Sequence, residues 1–356
     1  MIFDLLSLIL GIDTSCDETS AAVVNGCKVM SNVVFSQVDL HKEWGGVVPS
    51  LAKRLHQEKL PGVVDLALKK SRVSWDNIEA IAVTYGPGLA IALEVGIAYA
   101  KELAKKYDRP LIAINHMEGH IASVMADSKF KIQITNNKSN SNNKIQTLCL
   151  LISGGHTELV VMKEFGKYEV IGATRDDAAG EAMDKAAKIL GLGYPGGAVL
   201  EQMAKMGDKT KYDLPRPMLR VIGYDFSFSG LKTALRNMVS DKQLTKQEVC
   251  DYAASFQEAV CESLWKKTFV ALKGLSLQAQ RESPFLLVAG GVAANNYLRQ
   301  YFRKRCKILG VQAIFPEKKY CTDNAAMIGI AAGWKLEQGE FVTDLESLDR
   351  IPNLTL

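Results

Sequence analysis

The sequence predicts an α/β protein of two domains whose sheets are at least partly parallel. Three observations predict it. Apolar runs end in Gly-rich turns and lead into helical patterns, and that alternation is the signature of α/β layers. A strand, polar turn, strand pattern occurs near the N-terminus and again after Thr147. At 356 residues the chain is longer than one typical core needs.

Each element can be justified in order. The apolar N-terminus "MIFDLLSLILGID" has no basic leader, carries Asp4 and lacks a small-residue cleavage site, so it reads as a buried strand over Leu5 to Ile12. "IEAIAVTYGPGLAIALEVGIAYAKELAKKY" reads strand, Gly-Pro-Gly turn, helix. "RPLIAINHMEGHIASVMA" reads strand, then helix, with Asn115 placed to cap the helix start. "KIQITNNKSNSNNKIQ" is too polar to pack and reads as a mobile surface loop, about 133–145. From Thr245 to about Leu275, Val249, Tyr252, Ala253, Phe256, Val260 and Leu264 recur at helical spacing and read as core. "PFLLVAGGVAANNYLRQYFRKRCKILG" reads strand, Gly-Gly turn, helix. The two hairpins, "LSLILGIDTSCDETSAAVVNGCKV" and "TLCLLISGGHTELVVMKEFGKYEV", suggest two domains of one ancestral topology.

Composition narrows the class. Net charge is +4, a mild basic excess that permits a nucleic-acid partner without arguing for one. Seven scattered cysteines, odd in number and without a CxxC pair, fit a reducing compartment better than a disulfide framework. No run is long enough to span a bilayer, so no membrane role and a cytoplasmic location are expected.

The candidate chemistry starts at "INHMEGH". His116 and His120 stand four residues apart, on one face of a helix, where two imidazoles can share a metal ion. Two partly buried histidines near a helix start are the plainer alternative. A zinc peptidase needs Glu directly after the first His, but Met117 is there and Glu118 comes one position later. The best third ligand is Asp323 of "CTDNAAMIGIAAGW", at the mouth of a helix.

Five small-residue turns could bind phosphate through backbone N–H groups: Gly11 to Ser20, Thr84 to Ala90, Leu151 to Glu158, Gly193 to Ala198 and Ala289 to Asn296. None is a P-loop or a dinucleotide fingerprint. In "DDAAGEAMDKAAKILGL", Asp177, Gly180, Glu181 and Asp184 share an outward helix face, while Met183, Ala187 and Leu190 lie on an apolar one. Asp176 and Asp177 read as acids favoured by the helix dipole. Asp184, two turns in, is a candidate acceptor for a ribose hydroxyl. The basic helix Tyr297 to Lys307 is either a solvated face or an RNA contact through Arg303, Lys304 and Arg305.

Taken together, "GIDTSCDETSAAVV", "GGVVPSLAKRLH", "GPGL", "NHMEGH", "LISGGHTEL", "DDAAGEAMDKAAKILGLGYPGG", "SFSGLKTAL" and "GGVAANNYLR" occur in an order that resembles the tRNA threonylcarbamoyladenosine transferase family of the bacterial and mitochondrial type (TsaD), once called a glycoprotease. The likeness runs from about Ile9 to Gln338. It implies an actin-like ATPase (ASKHA) fold of two related RNase-H-like domains with a central cleft. The implied boundaries are 1–115, completed by a helix at about 323–338, and 116–322. It also implies a reaction: transfer of threonylcarbamoyl from threonylcarbamoyl-AMP to the adenosine 3′ of the anticodon, in tRNAs reading codons that begin with A.

By the same resemblance, His116, His120 and Asp323 are metal ligands, for iron(II) first and zinc second. Leu151, Ile152, Ser153, Gly154 and Gly155 form the substrate loop, and Asp184, Gly197 and Asn295 meet the nucleotide. The implied partners are tRNA and either helper subunits (TsaB, TsaE) or a second copy of the chain. The chain departs from the family after GPGL, where Ile91 and Ala92 replace a Gly-Ser pair. Competing readings are a small-molecule kinase of the same fold, which does not predict the His-His-Asp set, and a non-catalytic dimerising paralogue, which lacks it.

Overall fold

A computed structural model describes residues 7–127, 147–193, 195–279 and 285–356, with side chains of 276–279 excepted. The expected start of the first strand at Leu5, the polar loop at 133–145 and Tyr194 of the GYPGGA turn lie outside the described residues.

The chain divides into two units, Met1–Asn143 with Pro316–Leu356, and Lys144–Phe315. The boundaries expected at 115/116 and 322/323 differ from these. Helix His116–Ala122 and the turn holding Asp323 both pack with the first unit, because helix Ala325–Glu337 lies against both the first sheet and that short helix.

The first unit is built on a five-stranded sheet of β1 (Leu8–Asp13), β2 (Glu18–Asn25), β3 (Lys28–Ser36), β4 (Ala80–Gly86) and β5 (Leu111–Asn115). Its order is β3-β2-β1-β4-β5. Strands β1 to β3 pair antiparallel, Ile12 opposite Ala21, while β4 and β5 run parallel to β1. The parallel connection from β4 to β5 requires a crossover, and helix Ala90–Tyr107 provides it. Leu10, Ile12, Ile81, Val83 and Leu93 are buried between this sheet and helices Pro49–Ser71 and Ala90–Tyr107.

The second unit repeats that plan with β6 (Thr147–Ile152), β7 (Thr157–Glu164), β8 (Lys167–Ala173), β9 (Phe285–Ala289) and β10 (Ala313–Ile314). The order β10-β9-β6-β7-β8 is the first sheet read from its other edge. Antiparallel β6–β7–β8 and parallel β6–β9–β10 match their counterparts pair for pair. The internal repeat suspected from two hairpins is therefore a repeat of whole sheets. The long helix spans Lys246–Ala279 and buries Tyr252, Ala253, Phe256, Val260 and Leu264 as its spacing predicts, while Val249, expected with them and lying in its first turn, is only partly buried. Among the described residues no helix is long and apolar enough to cross a membrane.

Candidate functional site

In the first unit, β5 delivers the two histidines. Its last residue, Asn115, caps helix His116–Ala122 by accepting from Met117 N and Glu118 N. The cap fixes the first turn, and the helical spacing then sets both imidazoles side by side, ring centroids 4.7 Å apart. Asp323 arrives from the turn ahead of helix Ala325–Glu337, whose N-cap is Asn324. His116 Nε2 and His120 Nε2 each lie 3.3 Å from Asp323 Oδ1. One ligand atom from each of the three residues falls within 4.8 Å of the others.

The imidazoles and carboxylates of this cluster shift one another's ionisation. Burial disfavours a charged His116, yet the carboxylates of Asp323 and Asp13 outweigh it and raise its pKa. Burial alone would raise the Asp323 carboxyl; the two imidazoles hold it far below the usual carboxylate range. Burial lowers His120. His116 Nδ1, both ring nitrogens of His120 and Asp13 Oδ2 are buried without a hydrogen-bond partner among the described residues. Such orphans are costly unless something completes them. Two imidazoles and a carboxylate suit a first-row divalent ion, so these residues could hold one.

Asp13 escaped the sequence reading. It ends β1, is fully buried, and puts Oδ1 3.7 Å from His116 Nδ1, on the ring edge opposite Asp323. Its signal was a lone acid closing the apolar run "LILGID". Beside it, half-buried Glu18 has its carboxyl pushed up, first by desolvation and then by Asp323 and Asp17. His56 was also missed. Its Nε2 donates to the Cys16 carbonyl at 2.9 Å, and its Nδ1 accepts from Thr19 Oγ1 at 2.7 Å. Gln37 joins that network, and His41 Nε2 donates to Gln37 Oε1.

The Gly-Pro-Gly turn packs on the same loop. Leu89 N donates to Ser15 O, and Thr14 Oγ1 donates to Ala92 O. Ala92, at the departure from the family pattern, is fully buried.

In the second unit, the β6–β7 turn is closed by Ser153 N donating to His156 O and His156 N donating to Ser153 Oγ. The Ser153 N–H is therefore already used. Those of Gly154 and Gly155 make no hydrogen bond among the described residues, and a Cβ on either glycine would meet open space. Leu151 and Ile152 are wholly buried, so only their backbone could meet a ligand. Gly180, expected on an outward acidic face, is instead buried. A Cβ there would stand 2.4 Å from Ser153 O, so helix Ala179–Ile189 begins directly beneath the turn.

Asp176 and Asp177 precede that helix rather than open it. Asp176 caps helix Ser229–Val239 through Ser227, Phe228 and Ser229, and Asp177 pairs with Lys185 and Lys232 at 2.6 Å each. Asp184 Oδ1 accepts from Gly197 N at 2.7 Å, joining two residues expected at one nucleotide. Asn295 caps helix Asn296–Ile308, its Oδ1 accepting from Leu298 N while its Nδ2 donates to Gln257 Oε1.

Residues 28–330 match the family of tRNA N6-adenosine threonylcarbamoyltransferases (TsaD). The chain belongs to this family. Curated transferases of that name agree. The protein from Thermosipho africanus is 46% identical over 351 residues, covering 98% of this chain and 100% of the relative. The one from Caldicellulosiruptor saccharolyticus is 45% identical over 353 residues, covering 98% of each. Among solved structures, HypF from T. kodakarensis aligns with a TM-score of 0.60 at 14% identity, covering 94% of this chain and 48% of that one. (R)-2-Hydroxyglutaryl-CoA dehydratase component A from Acidaminococcus fermentans aligns with a TM-score of 0.51 at 14% identity, covering 93% and 99%. These likenesses show an actin-like ATPase fold. The transferase family's matched span contains all three clustered residues, His116, His120 and Asp323.

Proposed function

We propose that this chain transfers the threonylcarbamoyl group of threonylcarbamoyl-AMP to N6 of the adenosine 3′ of the anticodon, in tRNAs that read codons beginning with A. The observation that carries the reading is the buried His116–His120–Asp323 cluster inside a chain of the transferase family. A sugar-kinase relative has no use for that cluster, and a non-catalytic paralogue would lack it.

In the reaction the N6 amine bonds to the carbamoyl carbon, the bond from that carbon to the AMP phosphate oxygen breaks, AMP leaves with the electron pair, and N6 loses a proton. A divalent ion held by the three ligands, iron(II) before zinc, would supply Lewis acidity beside the carbonyl and the departing phosphate. Asp13 would orient the His116 ring from its other edge. The N–H groups of Gly154 and Gly155 would bind phosphate or oxyanion oxygens, with Leu151 to Ser153 shaping the turn through their backbone. Asp184 and Gly197 would meet the nucleotide as one bonded pair, and Asn295 would hold the helix start beside it. The remaining contribution is positioning of an amine against an already activated acyl group.

The seven cysteines form no disulfide among the described residues, which fits work in a reducing compartment such as the cytoplasm. The chain is expected to act with the helper subunits TsaB and TsaE, or as a homodimer. The test is transfer of labelled threonine from threonylcarbamoyl-AMP to unmodified tRNA by purified protein, with and without the helpers. Label on tRNA that disappears in His116→Ala supports the reading. No label in any lane, with ATP turnover on a panel of small molecules, replaces it with a kinase.

A further inference from the structure

The second unit carries a groove of about 670 Å³ apart from the site residues described above. One wall is the segment Leu219–Gly223; the other is formed by helices Lys246–Ala279 and Asn296–Ile308. Lys267, itself buried, fixes the segment by donating from Nζ to Val221 O at 2.8 Å and Gly223 O at 2.9 Å. The pinned segment holds Ile222 fully in solvent, 100% exposed. An isoleucine so displayed on a fixed backbone is an apolar face without a cover.

The groove is lined by Trp265, Phe269 and Tyr301 and by the cations Arg220, Lys266 and Arg305. Trp265 is held edge-on to Phe302 at 5.5 Å, and the Arg305 guanidinium sits 3.3 Å above the Tyr301 ring. The single lining acid, Glu262, is paired with Arg216 at 3.0 Å and Lys266 at 3.5 Å. Arg220 is exposed and makes no ion pair among the described residues. Tyr301 is buried under Arg305, so the faces left for a base are the partly exposed Trp265 and Phe269 with Ile222, and beside them the cations match phosphates of an unstacked strand. The volume lies in the range that encloses a small ligand, enough for a splayed base.

We propose that this groove binds a single-stranded segment of the tRNA substrate, with Arg220 and Arg305 on phosphates and Ile222 against a base. The proposal rests on the tRNA transferase reading and adds where the RNA is held. A protein partner is the disfavoured occupant, since it would need acids to meet Arg220 and Arg305.

The experiment is a fluorescence-anisotropy titration of the full chain with an unmodified tRNA transcript, repeated across a salt series. The double substitution R220Q/R305Q should weaken binding roughly tenfold and flatten the salt dependence by about one to two counterions. Ile222→Ser should weaken it by about five- to tenfold without changing the salt slope, as loss of a base contact does. The charge-matched pair K69Q/K70Q, exposed in the last turn of helix Pro49–Ser71 and outside the groove lining, should shift affinity less than about threefold. Thermal melting of each variant should match the native chain. Equal losses in both charge pairs would mean unspecific attraction and overturn the proposal. Native affinity in R220Q/R305Q and Ile222→Ser, in protein whose native form modifies tRNA, would overturn the groove alone. A native chain that neither binds nor modifies tRNA with helpers present would remove the transferase reading and the groove together. Loss of helper-subunit binding in Ile222→Ser with unaltered tRNA affinity would make the face a protein contact and also overturn it.

Discussion

Asp13 Oδ1 stands 3.7 Å from His116 Nδ1, while Asp323 Oδ1 stands 3.3 Å from the same ring's Nε2. An imidazole flanked by two carboxylates can offer one edge to a metal and the other to an orienting acid. Asp13→Asn is therefore expected to lower metal affinity about 10- to 100-fold without abolishing it. His116→Ala or Asp323→Ala should lower bound metal further and remove transfer while the fold stays intact. Metal content by elemental analysis beside circular dichroism checks this. Full transfer by a metal-poor variant would remove the assigned role.

The bond from Gly197 N to Asp184 Oδ1 separates two effects of one side chain. Asp184→Ala leaves a helix-start N–H without its acceptor and should cost about 1 kcal/mol. It should also weaken nucleotide binding. Asp184→Asn keeps an acceptor and should restore stability. Nucleotide titration by calorimetry decides whether affinity follows the charge or only the turn; an unchanged dissociation constant in Asp184→Ala would make the acid purely structural.

Gly180 lies under the β6–β7 turn with no room for a side chain, since a Cβ at this position would meet Ser153 O at 2.4 Å. Gly180→Ala should push that turn away and cost about 1–3 kcal/mol. Denaturant unfolding measures the cost. Gly154→Ala, where a Cβ meets nothing, should cost less, and native stability in both would contradict the packing.

Burial lowers the pKa of His56, which donates to Cys16 O in its neutral form. The unfolded chain binds that proton more readily, with a pKa of about 6.5. Stability from neutral His56 is therefore complete above pH ~6.5 and lost as pH falls through the folded value. Melting temperature should decline on acidification below that point, and His56→Gln should start lower but decline less. Parallel curves would show that another group titrates there.

Local spacing made much of this protein legible. The strand-turn-helix runs, the paired hairpins, Asn115 as a cap and the shared face of His116 and His120 follow from backbone periods of two and 3.6 residues. The Asp184–Gly197 bond was legible only as two residues expected at one ligand. Asp176 and Asp177 were misread, because an acid near a helix start carries no mark of which helix it will cap.

The sequence by itself determined the α/β class, the repeated topology and the residue types able to hold a metal. Those depend on short-range patterns that each segment carries alone. Only the tertiary structure decided that Asp13 closes on His116, that Gly180 supports a distant turn and that Lys267 pins the segment bearing Ile222. Each of these joins residues far apart in the chain. Such pairs are set by how whole sheets and helices pack, and no local period encodes that distance.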